Sequence, residues 1–143
     1  MPPCPMRRNK IAAAPHILTG GAAKAERLVN KMDCLFCKIA AGEIPSNKLF
    51  EDDRILAFYD IDPQAPLHFL VVPKKHIGSA AELTAQDGDL LAHIFATIAT
   101  LCAEQGVENG YRVVTNVGED GGQSVAHLHF HVLAKRSLAW PPG

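Results

Sequence analysis

The sequence of 143 residues has no apolar run long enough to cross a lipid bilayer, because a membrane-spanning helix needs about 20 consecutive apolar residues. Cysteine is scarce, with four in the whole chain, and the apolar core of a secretory signal is missing. A disulfide framework, which many small secreted domains need for stability, is therefore the weaker interpretation. We expect a cytoplasmic protein with no membrane partner.

A strong net charge of either sign is also missing. The formal net charge is -1 at pH 7, but it is unevenly distributed along the chain. Residues 1–31 hold six basic side chains and one acidic one, whereas residues 32–143 hold eight basic and fourteen acidic ones, a net charge of -6. Proteins bind nucleic acids through basic surfaces, so we expect no nucleic acid as a partner.

Residues 1–31 lack the apolar periodicity of a packed helix or strand. They are rich in proline and basic residues at the start and in small residues over 19–25. This composition predicts a disordered or flexible extension. An organellar targeting peptide and translation from an upstream start are the alternatives. We predict one globular domain over residues 32–143, which is long enough for a single core.

The most informative stretch runs from residue 121 to residue 133. Histidines stand at positions 127, 129 and 131, and apolar residues fill the gaps. This alternation predicts a β-strand with three imidazoles on one face and a core-facing apolar side. A Gly-Gly-Gln-Ser turn precedes it, and glycine lets the backbone approach a ligand closely. Such a site suits phosphate-ester chemistry, and metal binding by the histidines is the competing interpretation.

The rest of the sequence predicts an α+β fold with a five-stranded, mainly antiparallel sheet. A capping box over 84–87 precedes a long amphipathic helix, and Gly106 closes it. His93 falls on the polar face of this helix and is expected to be solvated. In chain order the predicted elements are a short helix over 35–41, strands over 48–51, 54–60 and 68–72, a long helix around 90–102, and strands over 111–116 and through the histidines.

The segment 127–133 is similar to the motif of the histidine triad (HIT) proteins: His, apolar, His, apolar, His and two apolar residues. The resemblance extends over residues 33–143. It looks closest to the Hint branch, the purine nucleoside phosphoramidases, and the Trp-Pro-Pro-Gly tail at 140–143 is the most branch-specific feature. Segments 50–54, 56–61 and 73–77 also match.

This resemblance implies a HIT-like fold with one long and one short helix, which forms homodimers by joining two sheets into one. It also implies a hydrolase that cleaves the P–N bond of purine nucleoside 5'-phosphoramidates, with AMP- or GMP-amine conjugates as substrates. No cofactor is expected to take part in the chemistry. A dinucleoside polyphosphate hydrolase and a nucleotide-binding interaction protein with incidental activity are the alternatives.

The resemblance assigns the chemistry to the histidines and the turn before them. His129, the middle histidine of the motif, is the expected nucleophile and would carry the nucleotidyl group, since its neighbours can flank the phosphate. His127 would orient His129 or relay a proton. His131 would donate to the phosphate, and Ser124 would donate to the leaving amine.

Further residues are expected to bind substrate. They are Phe36, Phe58 and Ile61 for the base, Asp60 for the ribose hydroxyls, and Asn116, Gly122 and Gln123 for the phosphate, beside Ser124 and His131. His68 would either orient the triad or be a satisfied core histidine. Trp140 is expected to cross toward the active site of the partner subunit and to help select the leaving group.

Cys34 and Cys37 form a C-x-x-C pair, which supplies half of a tetrahedral zinc site. His76 and His127 are available as the other two ligands, and some bacterial HIT proteins with this cysteine pair hold zinc through equivalent residues. A closed shell of four protein ligands leaves no position for a reacting water, so such a zinc would be structural. The alternative is a pair of reduced cysteines in a short helix.

Overall fold

The computed structural model describes residues 33–143, and the predictions for residues 1–31 lie outside that part of the chain. The described elements are α1 (Leu35–Ala40), β1 (Lys48–Glu51), β2 (Ile55–Tyr59), β3 (Leu67–Pro73), α2 (Gly88–Glu104), β4 (Tyr111–Val114) and β5 (Phe130–Ala134). Two short 3-10 turns, Ala80–Glu82 and Ala85–Asp87, connect β3 to α2. Within residues 33–143, no helix is both long and apolar enough to cross a membrane. The predicted α+β class and element order are confirmed.

The five strands form one antiparallel sheet in the order β1-β2-β3-β5-β4. Every residue of β3 is buried, as the apolar run in its sequence predicts. β5 lies between β3 and β4, and His131 is in register with Leu70 on one side and Val114 on the other. The last histidine of the motif therefore stands on a strand whose backbone is fixed along both edges.

Each face of the sheet has its own core. On one face the apolar stripe of α2 packs against the gap residues of the histidine motif, and the buried members include Ile94, Ile98, Leu128, Phe130 and Val132. On the other face α1 contributes Phe36 and Ile39, which pack on Leu56, Phe58, Leu70 and Val72. The two faces are therefore as the alternation predicts: the apolar residues face α2, and the imidazoles lie on the α1 side.

The histidine strand is shorter than the alternation predicts. β5 begins at Phe130, so His127 and His129 precede it. The backbone N–H of Leu128 donates to the carbonyl of Ile77 at 2.6 Å, and the hydroxyl of Thr115 donates to the carbonyl of His129 at 2.9 Å. These groups are paired with a loop and a side chain instead of a neighbouring strand, which ends the regular ladder before it reaches the first two histidines.

His93 is only partly solvated, and it has a partner that the sequence did not predict. Its side chain is 27 % exposed, and Nε2 pairs with the carboxylate of Asp52 in the turn between β1 and β2. The other oxygen of Asp52 accepts the backbone N–H groups of Arg54 and Ile55, each at 2.8 Å. This contact fastens α2 to the β1–β2 turn.

Candidate active site and metal centre

The imidazole of His129 is 3 % exposed, and a backbone carbonyl fixes its orientation. Nδ1 lies 2.7 Å from the carbonyl oxygen of His127. A carbonyl can only accept, so Nδ1 carries the proton and, in the neutral ring, the lone pair lies on Nε2. The rings of Phe36 and His131 pack edge-on against it, with centroids 5.0 and 5.1 Å away. The site thus presents one basic nitrogen in a fixed position.

His131 forms a hydrogen-bonded pair with His68. Nδ1 of His68 accepts the backbone N–H of Gln64 at 3.0 Å, and Nε2 of His68 lies 2.9 Å from Nδ1 of His131. Because a backbone N–H can only donate, neutral His68 holds its proton on Nε2 and donates it to His131. Neutral His131 therefore carries its own proton on Nε2. His68 is therefore a buried histidine with both ring nitrogens hydrogen-bonded, and one of its partners is a histidine of the motif.

Burial keeps both rings of this pair neutral near pH 7. It lowers the pKa of His68 below 6.5, against the opposing negative charges of Asp60 and Asp62. It also lowers the pKa of His131, where the neighbouring His129 and His68 act in the same direction and Asp60 opposes them. A neutral His131 with its proton on Nε2 is a hydrogen-bond donor, and the lone pair on its other nitrogen is already occupied.

The carboxylate of Asp60 lies against these histidines. Oδ2 is 3.4 Å from Nε2 of His68 and 3.8 Å from Nδ1 of His131, and Oδ1 accepts the backbone N–H of Asp62 at 2.8 Å. The ligand atoms of Asp60, His68 and His131 are close enough together to surround a metal ion. His68 has no lone pair to offer one, because Nδ1 is bonded to Gln64 and Nε2 carries the proton. The trio is therefore better suited to holding protons than to holding a metal.

The side chain of Gln123 holds the glycine turn in place. Its Nε2 donates to the carbonyls of Gly78 at 2.7 Å and Val125 at 3.0 Å, and its Oε1 accepts the backbone N–H of Gly118 at 3.0 Å. Its own backbone N–H donates to the carbonyl of Gly118 at 3.0 Å. In this conformation Gln123 braces the turn, and its donors are committed to the protein instead of being open to a phosphate.

The glycines of the turn have different roles. The backbone N–H of Gly122 donates to the carbonyl of Glu119 at 2.9 Å, so it also serves the turn. A Cβ at Gly121 would lie 2.5 Å from the carbonyl oxygen of Val117, which leaves room for no residue but glycine. Ser124 follows the turn and is exposed. Among the predicted phosphate-binding residues of the turn, Ser124 is the one left accessible to a ligand.

The remaining predicted substrate residues surround this centre. Phe36 packs edge-on against Phe58 with ring centroids 5.7 Å apart, and both are buried. Ile61 is fully exposed, just after the carboxylate of Asp60. Asn116 is half-buried and directly follows the threonine that bonds the carbonyl of His129.

The C-terminal tail is largely open to solvent. Trp140 is 82 % exposed, so its ring is not packed on its own subunit. Arg112 on β4 holds the tail by donating to the carbonyl of Ala139 at 2.9 Å. This hydrogen bond ties the tail to β4.

The four predicted metal ligands converge on the α1 side of the sheet. Nδ1 of His127 lies 3.4 Å from the Sγ atoms of both Cys34 and Cys37, and Nδ1 of His76 lies 3.1 Å from Sγ of Cys37. All four ligand atoms are within 4.8 Å of one another. Neighbouring ligands around a tetrahedral zinc lie about 3.3 to 3.8 Å apart. The cluster can therefore hold a metal ion with little rearrangement.

The protonation of His127 suits a ligand. Its Nε2 lies 2.8 Å from the carbonyl oxygen of Pro73 and donates to it, so the lone pair on Nδ1 faces the thiols. Burial lowers the pKa of His127 from 6.5 to about 4; the carbonyl of Pro73 opposes this shift, and His76 and His129 add to it. A neutral ring with a fixed tautomer is the form that binds metals.

Comparison with known proteins identifies the family. The profile of a family described as "Scavenger mRNA decapping enzyme C-term binding" matches residues 33–139. An uncharacterized HIT-like protein of Synechococcus elongatus is 50 % identical over 111 residues, which cover 78 % of this chain and 97 % of that protein. The chain belongs to the histidine triad (HIT) superfamily.

Solved HIT structures share the fold. A HIT family hydrolase from Legionella pneumophila is 52 % identical, with a TM-score of 0.76 over 78 % of this chain and 100 % of that one. A histidine triad protein from Clostridium difficile is also 52 % identical, with a TM-score of 0.73 over 76 % of this chain and 95 % of that one. The superfamily and the HIT-like fold that the motif predicted are both confirmed.

Two residues that shape the candidate site of this HIT protein do so in ways that the sequence does not indicate. Gln64 fixes the tautomer of His68 through its backbone N–H, which leaves no trace in side-chain chemistry. Gly121 is required because the backbone of Val117 approaches it closely, whereas the sequence suggested that the glycines of this turn serve the phosphate. For Gln64, the sequence holds one relevant feature: the run Pro-Gln-Ala-Pro over 63–66, which predicts a constrained loop.

Proposed function

We propose that this HIT protein is a nucleotide-binding hydrolase that cleaves the P–N bond of purine nucleoside 5'-phosphoramidates through a nucleotidyl-His129 intermediate. The observation that carries this proposal is the fixed lone pair on Nε2 of His129, beside the Nε2–H of His131. A basic nitrogen and a neighbouring donor are what nucleophilic attack on a phosphorus centre requires.

In the first step Nε2 of His129 attacks phosphorus. A nitrogen–phosphorus bond to the ring forms, the bond to the leaving amine breaks, and its electron pair goes to the amine. The amine takes the proton of the exposed Ser124 hydroxyl. The ring becomes positively charged, and its Nδ1–H remains bonded to the carbonyl of His127, which stabilises that charge.

In the second step water attacks the phosphorus of the intermediate. The bond to His129 breaks, and its electron pair returns to Nε2. The proton that the water loses restores the Ser124 hydroxyl, and the nucleoside monophosphate leaves. His131 and Asn116 are the proposed donors to the phosphoryl oxygens in both steps. Asp60 is the proposed acceptor of the ribose hydroxyls, and Phe36, Phe58 and Ile61 are the proposed contacts of the base.

We propose zinc as the metal of the cluster, since two thiols and two imidazoles whose ligand atoms lie within 4.8 Å of one another are typical zinc ligands. Cys34, Cys37, His76 and His127 would fill the whole coordination shell. The metal would then stabilise the fold without activating water, and the chemistry would need no cofactor.

We propose a two-fold homodimer whose sheets join along β4. This strand forms one edge of the sheet, and Tyr111 on it is 44 % exposed. Pairing the two copies would cover the open edge, which a monomer exposes to unwanted strand addition. Trp140, exposed on the tail beside β4, would then reach the active site of the partner subunit and contact the leaving group.

A second candidate function is the cleavage of dinucleoside polyphosphates. The match to a family described as a scavenger mRNA decapping enzyme favours it, and a nucleotidyl-His129 intermediate would serve equally well. A steady-state screen of AMP-amine conjugates against diadenosine polyphosphates, with His129→Ala as control, decides between them. Higher kcat/KM on the conjugates supports the phosphoramidase, higher kcat/KM on the polyphosphates supports the alternative, and no turnover of either supports an interaction protein.

A further inference from the structure

We propose that the loop of residues 61–66, here called the proline loop, fixes the tautomer of His68 through the backbone N–H of Gln64 and so decides which nitrogen of His131 carries the proton. Arg136 is the positioning residue that holds this loop against His68. The catalytic effect of this arrangement rests on the proposed function, whereas the tautomers themselves do not.

The two ring nitrogens of His68 have different hydrogen-bond partners. Nδ1 receives a backbone N–H at 3.0 Å, and Nε2 lies 2.9 Å from Nδ1 of His131. Asp60 is not the group that selects the tautomer, because its Oδ2 lies 3.4 Å from Nε2 of His68 and 3.8 Å from Nδ1 of His131 and forms a hydrogen bond with neither ring. The backbone N–H of Gln64 is therefore the group that breaks the symmetry.

The other tautomer of His68 would exchange the donor and acceptor nitrogens of His131. With its proton on Nδ1, His68 would turn a lone pair on Nε2 toward His131. His131 would then hold its proton on Nδ1, directed at His68 or at the carboxylate of Asp60. Its Nε2 would offer a lone pair to the anionic phosphoryl oxygens and repel them instead of donating. One backbone N–H thus decides whether His131 is a donor or an acceptor toward the substrate.

The proline loop is braced for this task. The carboxylate of Asp60 accepts the backbone N–H of Asp62 at 2.8 Å, and the side chain of Gln64 donates to the carbonyl of Asp62 at 3.0 Å. Nε of Arg136, which follows β5, donates to the carbonyl of Gln64 at 2.9 Å. Gln64 is exposed while His68 is 5 % exposed, so an outer residue turns its N–H inward onto a buried ring.

Two substitutions at one position test the proposal. Gln64→Ala removes the side chain and keeps the backbone N–H, whereas Gln64→Pro removes the N–H itself. Long-range ¹H–¹⁵N spectra of protein with ¹⁵N-labelled histidine report which nitrogen of each ring is protonated. We expect Gln64→Ala to show the Nε2–H form of His68 and His131, as in the unchanged protein. Gln64→Pro should show both rings with mixed tautomers.

Arg136→Ala keeps the test decisive if the proline variant fails to fold. It leaves the amide in place but removes its brace, so we expect a partial shift of the His68 signals and faster hydrogen exchange at Gln64. The matched control is Arg54→Ala, an exposed arginine in the β1–β2 turn, which should change neither. Unchanged tautomers and exchange in Arg136→Ala, and in Gln64→Pro where it folds, would overturn the proposal.

Activity supplies a second readout. We expect kcat on an AMP-amine conjugate to fall on the order of tenfold to a hundredfold in Gln64→Pro and about two- to tenfold in Arg136→Ala, with a smaller change in KM. If the tautomers shift as expected but the unchanged protein does not turn over phosphoramidates, the tautomer assignment stands and the proposed function fails. If the unchanged protein is active and the variants keep both its tautomers and its kcat, the role of the proline loop is wrong.

Discussion

The carbonyl oxygen of His127 accepts the Nδ1–H of His129 at 2.7 Å, while the imidazole of His127 belongs to the Cys/His cluster. One residue thus contacts the proposed metal through its side chain and orients the proposed nucleophile through its backbone. Phe36 strengthens the link, because it lies between the two cysteines in sequence and packs on the rings of both His127 and His129. The candidate metal centre and the candidate active site are therefore neighbours that share His127 and Phe36, and only the second is proposed to do chemistry.

The first prediction concerns the metal. Purified protein should contain about one zinc per chain, since the four proposed ligands would complete a tetrahedral shell. Stripping it should lower the free energy of unfolding by roughly 3 to 4 kcal/mol relative to free zinc at 100 to 1,000 times its Kd. The decrease in kcat should be the smaller effect. Elemental analysis, chemical unfolding and steady-state kinetics measure these three quantities.

The control for the metal is the third described cysteine. Cys102 is 2 % exposed in the core, and burial raises the pKa of its thiol. Cys102→Ala should therefore keep its zinc, whereas Cys34→Ser should lose it. Protein prepared without chelator that contains no metal and two free thiols at positions 34 and 37 would reject the zinc site.

The second prediction concerns pH. The pKa values of His68 and His131 are both lowered by burial, so the folded protein binds fewer protons than the unfolded chain below pH 6.5. Their contribution to stability should be complete above pH 6.5 and should decline as the pH falls toward their folded values. Histidine NMR titration should give midpoints below 6.5 for both rings. Midpoints at or above 6.5 would contradict the neutral pair.

The third prediction concerns the turn before the histidines. Gly121→Ala should destabilise the protein by about 1 to 3 kcal/mol, because its Cβ would clash with the backbone carbonyl of Val117. Activity should fall as well, since Ser124 follows this turn. Gly88→Ala is the matched control: a Cβ there meets nothing within 4 Å, and we expect a change of less than about 1 kcal/mol in the stabilising direction. Equal thermal stability of the two variants would contradict the close-approach argument.

Much of this fold follows from sequence periodicity. The alternation through the histidines predicts which side chains meet α2, and Leu128, Phe130 and Val132 are buried there as expected. The beginning of β5 could not be predicted, because it depends on where the backbone groups of residues 127–129 find partners. Ile77 and Thr115 supply those partners, and no local sequence pattern predicts either contact.

The side chains of the candidate site can be predicted from the sequence, but the long-range hydrogen bonds that hold them in place cannot. The motif identifies the histidines, but Gln123 donates to the carbonyl of Gly78 across 45 residues and Arg136 donates to the carbonyl of Gln64 across 72. Each of these contacts depends on tertiary placement. The tautomer of His68 depends on a backbone N–H, which every residue except proline carries, so residue identity holds no information about it.

The fourth prediction concerns assembly. Sedimentation at micromolar concentration should give a dimer, because β4 forms an open edge of the sheet and Trp140 is exposed. Deletion of residues 138–143 should change the preference among amine leaving groups more than the rate with a small amine. A monomer by sedimentation, or a deletion that leaves the preference unchanged, would argue against a tail that serves the partner subunit.

The fifth prediction concerns His129, and the most direct test of the account is the steady-state hydrolysis of an AMP-amine conjugate by His129→Ala, with nucleotide binding measured on the same sample. The account predicts a loss of kcat on the order of a thousandfold or more with nucleotide affinity retained, because the nucleophile is gone while Asp60 and the turn remain. His93→Ala, which removes a histidine far from the chemistry, should keep its kcat. Near-unchanged turnover by His129→Ala would contradict the covalent mechanism.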